Sequence, residues 1–219
     1  MKDRLKRTFD LLSASAVLLI VSPLMACIAL WIKLDSTGPV LFRQQRIGRA
    51  QNPFEVLKFR TMVNRKPEEI DQFAEAVVSG EADSRVTRAG RFLRRTSLDE
   101  LPQLWNIVRG DMSVVGPRPI IPEQLAAIRA EYLSRFEVKP GLTGLSQIRG
   151  RRDLDWILWL EADCEYAARY GFWYDLGIIL KTVKVVFTGY GLYSEGKGRN
   201  WREFVVSGQP ATGDRAERP

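Results

Sequence analysis

The chain has 219 residues, and its 33 Lys plus Arg against 26 Asp plus Glu give a net charge of +7. This length suits one ordinary domain with an appendage, and the positive balance favours anionic partners such as nucleic acid, acidic lipid or phosphorylated small molecules. The absence of histidine excludes Ser-His-Asp and Cys-His catalysis and histidine-ligated metals. Two distant cysteines, Cys27 and Cys164, indicate no disulfide framework, and neither G-x-x-x-x-G-K-S/T nor G-x-G-x-x-G occurs.

The first predicted element is an apolar run over residues 11–34 whose only charge is Lys33. A helix rising about 1.5 Å per residue would cross a hydrocarbon core of about 30 Å over this length. Ser22 and Pro23 lie at its middle, so we predict a break there, with Ser22 helping to satisfy the carbonyls that the proline frees. Four positive charges on each flank give the positive-inside rule no preference. This tie favours a re-entrant helix whose two ends both stay on the cytoplasmic side.

Three other interpretations of the apolar run stay open. One is an ordinary membrane span with a proline kink. Another is a lipoprotein signal peptide ending in "LMAC" (24–27), which is disfavoured because the apolar run continues past Cys27. The third is a buried helix of a soluble protein, although such helices are seldom apolar on every face.

The remaining chain predicts a small β-hairpin followed by helices. The runs at 35–48 and 54–62 flank a "QNP" turn, and alternation places Phe54, Val56, Lys58 and Arg60 on one face. Residues 66–80 indicate a polar helix or a loop. Helical patterns predict elements at about 84–96, 121–136, 153–170 and 173–188. The last two are rich in aromatic residues, which are typical of a membrane interface and equally of a core.

These patterns define the fold class as α+β, a mostly helical single catalytic domain with a small β-hairpin. We divide the chain into a membrane segment at 1–34, a catalytic domain at 35–193 and a tail at 194–219. The tail lacks periodicity apart from one short apolar run and is expected to be partly disordered.

The stretch "SLDELPQLWN" (97–106) places two acids side by side. Ser97 and Glu100 have the spacing of a capping box, but in that register the Pro102 ring would collide with a carbonyl of the helix. Starting the helix at Asp99 leaves Pro102 in the first turn, where its missing donor does no harm. Asp99 and Glu100 then both lie at the positive end of the helix dipole, which stabilises their charged forms.

Arginines crowd the acidic pair. The prolines Pro117 and Pro119 restrain the backbone on either side of Arg118, and a guanidinium suits bidentate phosphate binding. The other arginines of this region are Arg85, Arg88, Arg91, Arg94, Arg95 and Arg109. The alternative interpretation is a solvated or lipid-facing run of charges, and we expect it to hold for at least half of these arginines. An acidic pair, a rigid arginine and an apolar anchor together indicate phosphoryl chemistry at a bilayer surface, in which a carboxylate can act as the nucleophile.

The sequence resembles the monotopic phosphoglycosyl transferases, a group of bacterial sugar transferases. The resemblance rests on "KRTFD" (6–10), "DSTGPVLFRQQRIG" (35–48), "FEVLKFRTM" (54–62), "TRAGRFLRRTSLDELPQLWNIVRGDMSVVGPRP" (87–119) and "KPGLTGLSQIRG" (139–150). It implies a re-entrant helix and transfer of a sugar-1-phosphate from a UDP-sugar to undecaprenyl phosphate. UMP is released, and the lipid-linked sugar initiates a cell-surface glycan.

The resemblance also implies roles for individual residues. Asp99 takes the place of the family's covalent nucleophile, and Glu100 that of the acid assisting proton transfer; both would help to place Mg²⁺. Arg118 takes the place of a phosphate-binding arginine. Further site residues implied by the resemblance are the cations Lys58, Arg88 and Arg149, and Asp175, for which a helix N-cap is the alternative.

The implied partners are a UDP-sugar, undecaprenyl phosphate and bacterial membrane lipid, with no nucleic acid. The implied location is the bacterial inner membrane, with the catalytic domain on the cytoplasmic face. Some relatives carry additional N-terminal spans, so this chain is expected to be a minimal catalytic unit, and its aromatic helices would support a homodimer. Two other functions stay open, namely a membrane-anchored non-catalytic binder of anionic lipid or polymer, and a phosphatase or single-displacement transferase.

Overall fold

A computed structural model of the protein describes residues 2–63, 83–150 and 154–188, together with Trp201. The prediction for residues 66–80, and that for the tail apart from Trp201, lie outside the described residues. The longer elements are α1 (Lys2–Asp35), β1 (Leu41–Ile47), β2 (Pro53–Phe59), α2 (Arg88–Thr96), α3 (Gln103–Arg109), β3 (Ser113–Val115), α4 (Pro122–Leu125), β4 (Gly141–Thr143), α5 (Leu145–Arg149), α6 (Trp156–Arg169) and α7 (Phe172–Thr188). Short 3₁₀ turns cover Arg49–Gln51, Leu98–Glu100 and Ala130–Phe136. The mostly helical α+β class is thus confirmed.

The helix α1 continues through Pro23, so the predicted break at Ser22 and Pro23 is not observed. Pro23 has no N–H for the carbonyl of Leu19, and the Ser22 hydroxyl donates a hydrogen bond to that carbonyl at 2.8 Å. The prediction that Ser22 helps to satisfy a carbonyl freed by the proline is therefore confirmed. By length and composition, α1 is the helix among the described residues that is apolar enough to cross a membrane.

One side of α1 packs along the globular part of the chain. Ala14 is buried with Ile107 and Met112 beside α3, while Ile28 and Ile32 are buried with Leu93 of α2 and other apolar residues. The opposite side leaves large apolar side chains exposed, among them Leu12, Leu19, Ile20, Leu30 and Leu34. The helix is therefore both a part of the core and an apolar surface.

Both ends of α1 are also tied to the globular part by polar contacts. Near its start, Arg7 donates to the carbonyls of Ile107 and Val108, the last turn of α3, at 2.5 and 2.7 Å. At its end, Arg60 donates to the carbonyls of Ile32 and Ser36. A cation at a helix C-terminus satisfies carbonyls that lack helical partners and opposes the dipole. Each contact thus stabilises a helix end while joining two elements.

The predicted β-hairpin is confirmed. β1 and β2 pair antiparallel, with Gln44 opposite Val56 and Phe42 opposite Lys58. Because opposite residues share a face and faces alternate along a strand, Gln44, Arg46 and Lys58 project from the same side of the hairpin.

A second, parallel pair joins β3 to β4, with Ser113 opposite Gly141 and Val115 opposite Thr143. The pair brings Gly116 against the Lys139 backbone, where a Cβ atom would lie 2.3 Å from the carbonyl oxygen. Only glycine fits this approach. The contact fixes the backbone directly before Pro117 and Arg118.

The predicted helix over 121–136 is wrong. α4 ends at Leu125, Arg129 is extended, and a 3₁₀ turn follows over Ala130–Phe136. Ala127 and Phe136 pack into a cluster with Trp156 and Trp159 of α6. This packing overrides the weaker helical preference of the segment.

The aromatic residues divide between core and surface. Trp156, Trp159 and Tyr166 are fully buried, and Trp201 joins the cluster around the first two. Trp173, in contrast, is 79% exposed. Most of the aromatic content of α6 is therefore core, whereas the start of α7 offers an exposed aromatic.

Candidate active site

The acidic pair lies on a 3₁₀ turn, because the chain reverses direction just before it. Ser97 ends α2 in the left-handed conformation (φ 58°) and makes no side-chain cap. Leu98–Glu100 form the turn, and α3 begins only at Gln103 with Pro102 as its N-cap. The prediction that a helix starts at Asp99 is therefore wrong by about one turn, and the capping box is absent. The turn leads directly into α3, so both acids still precede a helix N-terminus.

Glu100 is held by two cations. Its Oε1 accepts a hydrogen bond from Lys58 Nζ at 2.8 Å and another from Arg118 Nη2 at 3.1 Å. Burial acts to raise the pKa of this carboxyl, but Lys58 and Arg118 outweigh it and hold the pKa well below its usual range. The predicted grouping of Lys58, Glu100 and Arg118 is thus observed, and Glu100 is ionised at neutral pH.

Asp99 lies in the opposite situation. Its carboxylate accepts no hydrogen bond from any described residue. Burial, together with the charge of Glu100, raises its pKa above the usual value, while Lys58, Arg94 and Arg118 act to lower it. A carboxylate near several cations but bonded to none of them is available to react with an electrophile.

Arg46 belongs to this site and was not predicted to. It donates to the Pro119 carbonyl at 3.2 Å and to Gln44 Oε1 at 2.5 Å. Burial, followed by the positive charge of Arg118, lowers its pKa to about 10. The available signal was the strand alternation, which places Arg46 on the hairpin face that carries Lys58.

These side chains line an open pocket. Its walls are Arg46, Val56, Lys58, Glu100, Gln103, Arg118 and Pro119. Three cations and one carboxylate line it, with Asp99 adjacent in the chain to Glu100. The excess of positive charge suits a ligand that carries a phosphate or diphosphate.

Arg118 is positioned by a buried network as well as by its prolines. Arg135 donates to the Arg118 carbonyl at 2.9 Å and to Asp163 Oδ2 at 2.7 Å. Ser146 donates to the other oxygen of Asp163 at 2.9 Å. Because Arg135 and Asp163 are buried and paired, the backbone at Arg118 is attached to the core through α6.

The other predicted cations lie elsewhere. Arg88 is exposed at the start of α2 and forms no ion pair with a described residue, whereas Arg94, two turns on, acts on Asp99 and donates to Thr61 Oγ1 at 2.8 Å. Arg149 pairs with Glu165 of α6 at 2.7 Å rather than with the acidic pair. Among the arginines of α2, the structure therefore brings Arg94 rather than Arg88 close to Asp99.

Asp175 is buried in a separate polar cluster. It accepts hydrogen bonds from Lys6 Nζ at 2.5 Å and from the Tyr166 hydroxyl at 2.8 Å. Its own N–H donates to the Gly171 carbonyl, so it lies inside the first turn of α7 and is not the N-cap. The contacts of Asp175 join α1 to α6 and α7 beside the core.

Metal binding in the described residues rests on two carboxylates at most. No group of three or more Asp, Glu or Cys side chains that could hold a metal ion occurs in the described parts of the chain. Glu100 keeps one oxygen outside its hydrogen bonds, and Asp99 keeps two. Mg²⁺ is usually bound by one or two carboxylates together with substrate phosphates and water, so this pair fits a substrate-completed Mg²⁺ site.

A half-buried carboxylate that accepts no hydrogen bond and lies near several cations is the arrangement expected of a phosphoryl-transfer site. The model of the family described as bacterial sugar transferase matches residues 1–189. The chain therefore belongs to the bacterial sugar transferase family.

Curated relatives agree with this assignment. An undecaprenyl-phosphate galactose phosphotransferase of Salmonella typhimurium is 42% identical over 86% of this chain and 42% of its own length. A UDP-glucose:undecaprenyl-phosphate glucose-1-phosphate transferase of Caulobacter vibrioides is 43% identical over 87% of this chain and 73% of its own length. The exopolysaccharide production protein ExoY of Rhizobium meliloti is 39% identical, with shares of 86% and 88%. The chain thus spans less than half of the Salmonella relative and most of the other two.

Proposed function

We propose that this protein transfers a sugar-1-phosphate from a UDP-sugar to undecaprenyl phosphate and releases UMP. The observation that carries the proposal is the half-buried Asp99 carboxylate, which lies near Lys58, Glu100 and Arg118 and accepts no hydrogen bond from a described residue. The names of the relatives supply the substrate classes, since they pair undecaprenyl phosphate with galactose or with UDP-glucose. The product would initiate assembly of a cell-surface glycan.

The reaction proceeds in two displacements. In the first, an oxygen of Asp99 forms a bond to the sugar-bearing phosphorus, and the bond from that phosphorus to the oxygen of UMP breaks with its electron pair leaving on UMP. In the second, an anionic oxygen of undecaprenyl phosphate forms a bond to the same phosphorus, and the bond to Asp99 breaks. The carboxylate is regenerated, and the sugar phosphate ends on the lipid.

The charged residues of the site have complementary tasks. Lys58, Arg118 and Arg46 neutralise the oxygens of the diphosphate, since guanidinium and ammonium groups form strong charge-assisted bonds to phosphate. Arg94 favours the ionised form of Asp99. Asp99 and Glu100 would hold Mg²⁺, which supplies charge neutralisation at the phosphate oxygens. Glu100 fixes Lys58 and Arg118 in place.

The proposal places the globular part on the cytoplasmic face of the inner membrane, with α1 attached from that side. Support comes from the two ends of α1, which both contact the same globular part, through Arg7 at one end and Arg60 at the other. Bending at Pro23, where the backbone ladder lacks one N–H, would let α1 enter the bilayer and return as a re-entrant helix.

A trapping experiment tests the proposed function. The purified full chain is incubated with a UDP-sugar labelled in the sugar and with no lipid acceptor. The label should become attached to the protein, and mass spectrometry should locate a sugar-phosphate on Asp99. Asp99→Asn should remove the label, with Asp111→Asn, an acid at a surface ion pair with Arg109, as the matched control. A fully active Asp99→Asn enzyme would overturn the mechanism.

A further inference from the structure

Asn106 of α3 binds the backbone of β2 through two directional hydrogen bonds. Its Oδ1 accepts from the Leu57 N–H at 3.0 Å, and its Nδ2 donates to the Glu55 carbonyl at 2.6 Å. In a parallel sheet, one residue bonds in the same way to two residues of the neighbouring strand that lie two positions apart. The Asn106 amide therefore takes the place of a third strand, on the edge of β2 that does not face β1.

Asn106 is itself held firmly in the core. It is fully buried, and its main-chain carbonyl accepts the N–H groups of Gly110, Asp111 and Met112, where the chain leaves α3. Its Nδ2 also lies 3.3 Å from Asp111 Oδ2. The carbonyls of the next two residues accept hydrogen bonds from Arg7 of α1. The amide that binds β2 thus has a fixed position.

Apolar packing alone would not fix where β2 lies along α3. Val56 shares a buried cluster with Leu104 and Ile107 of α3. Such contacts are non-directional, so they tolerate a small slide of the strand. The amide bonds do not tolerate it, because neighbouring peptide groups of a strand point to opposite edges. A slide of one residue would leave the Asn106 amide without its partners.

This register matters because Lys58 directly follows the segment that Asn106 binds. Lys58 Nζ lies 2.8 Å from Glu100 Oε1, and Glu100 belongs to the turn that leads into α3. The Lys58–Glu100 pair therefore joins the same two segments that Asn106 joins. A shift of β2 by one residue, about 3.3 Å, would carry the ammonium group out of bonding distance of the carboxylate.

We propose that Asn106 is a positioning residue of the active site, whose two hydrogen bonds to β2 set the register that brings Lys58 to Glu100. Asn106 is buried away from the pocket surface, so it acts through Lys58. The effect on the reaction rate rests on the proposed function, whereas the effect on the Lys58–Glu100 pair does not.

Amine labelling tests the geometry without any substrate. The folded full chain in detergent is treated briefly with acetic anhydride, and mass spectrometry gives the rate of acetylation of Lys58 relative to Lys181, an exposed lysine of α7. Asn106→Leu should raise this ratio roughly tenfold, the size of one lost charge-assisted hydrogen bond. Glu100→Gln removes the carboxylate itself and gives the value expected when the pair is broken.

A double-mutant cycle tests the effect on the reaction. The kcat/KM for UMP release with undecaprenyl phosphate is measured with UDP-glucose or UDP-galactose, whichever is the faster donor. The four proteins are the wild type, Asn106→Leu, Lys58→Met and the double variant. Asn106→Leu should lower kcat/KM roughly tenfold when Lys58 is present and less than about twofold when it is replaced, because the register acts through Lys58.

Two further variants separate a lost register from a weakened fold. Ile178→Ala removes buried apolar atoms from α7 and should lower the thermal midpoint. Measured well below that midpoint, it should leave both the acetylation ratio and kcat/KM unchanged. Asn106→Asp keeps the acceptor for the Leu57 N–H and loses the donor to the Glu55 carbonyl. It carries the same expectation as Asn106→Leu if the latter does not fold.

The outcomes distinguish this inference from the proposed function. An acetylation ratio that stays at the wild-type value in the folded Asn106 variant would overturn the positioning role and leave the transfer reaction intact. An equal loss of kcat/KM with and without Lys58 would overturn it as well. No UMP release by the wild-type protein with either donor would count against the proposed function, and the acetylation ratio would still decide whether Asn106 holds Lys58 at Glu100.

Discussion

Asp99 and Glu100 are neighbours in the chain, yet their carboxylates are in opposite electrostatic situations. Glu100 is hydrogen-bonded to Lys58 and Arg118, which lower its pKa, whereas Asp99 accepts no hydrogen bond from a described residue and desolvation raises its pKa. Pairs of acids whose environments separate their pKa values are typical of sites that divide two tasks between them. In the proposed mechanism Glu100 organises the cations, and Asp99 forms the covalent bond.

The pH dependence of the reaction should respond to Lys58. Lys58 is the charge that most lowers the pKa of Asp99, a pKa that burial raises above 3.8. In the proposed mechanism only the ionised carboxylate attacks, so activity should be present above this pKa and should be lost as the pH falls through it. Lys58→Met removes the positive charge and should move the acid limb of the kcat/KM profile to higher pH by about one unit.

The two enzymes are compared by the pH at which the acid limb of the kcat/KM profile falls. The maximum value of kcat/KM is not used, because it also depends on how well Lys58 binds phosphate. Lys58→Arg keeps the charge and should leave the limb where it is. A Lys58→Met enzyme whose acid limb coincides with that of the wild type would show that Asp99 is not the titrating group.

At the scale of elements, the close approach of α2 to the end of the hairpin depends on Gly90. A Cβ atom at this position would lie 2.0 Å from the Thr61 carbonyl oxygen, which is part of the backbone and cannot move aside. Gly90→Ala should therefore lower the free energy of unfolding by about 1–3 kcal/mol, measured as a lower thermal midpoint of the detergent-solubilised chain.

Gly177 in α7 has nothing within 4 Å of the position that a Cβ atom would take. Gly177→Ala should raise the free energy of unfolding by up to about 1 kcal/mol, since alanine is the better helix former.

The exposed side of α1 should be the surface that holds the protein on lipid. Ile20 is 76% exposed near the middle of the helix. A charge at the centre of a membrane helix costs about 3 kcal/mol, so Ile20→Asp should move much of the full chain from the floating vesicle fraction to the supernatant. Leu133→Asp places the same charge at an exposed apolar residue of the Ala130–Phe136 turn and should leave flotation unchanged. Equal flotation of the two variants would argue against α1 as the anchor.

Part of the site follows from the sequence, and the part that does not depends on contacts between distant segments. Lys58 and Arg118 both contact Glu100; the resemblance implied that Lys58 is a site cation, and the two flanking prolines marked Arg118 as a restrained one. Arg94 could not be told from Arg88 in a stripe with helical spacing, since only packing against Thr61 distinguishes them. The break at Pro23 was expected from the proline alone, but Ser22 satisfies the carbonyl that the proline frees. The strands β3 and β4 are too short for their alternation to be visible.

For the whole molecule, attachment from one side of the membrane can be tested by labelling. In a Cys27→Ser, Cys164→Ser background, single cysteines are placed at exposed positions near each end of α1, as Arg4→Cys and Thr37→Cys. A membrane-impermeant maleimide added to intact cells should label neither, and both should react after permeabilisation. Labelling of one end alone in intact cells would indicate an ordinary span.

The burial of Ala14, Ile28 and Ile32 has a practical consequence for anyone who wants a water-soluble version of this protein. The first 35 residues resemble a removable membrane segment by hydropathy alone. Part of α1 nevertheless packs into the hydrophobic core, and Arg7 donates hydrogen bonds to the last carbonyls of α3. Cutting them away would open that interior to water rather than free an intact enzyme. A water-soluble version is better made by replacing the exposed apolar residues of α1 with polar ones while the residues that pack into the core are kept.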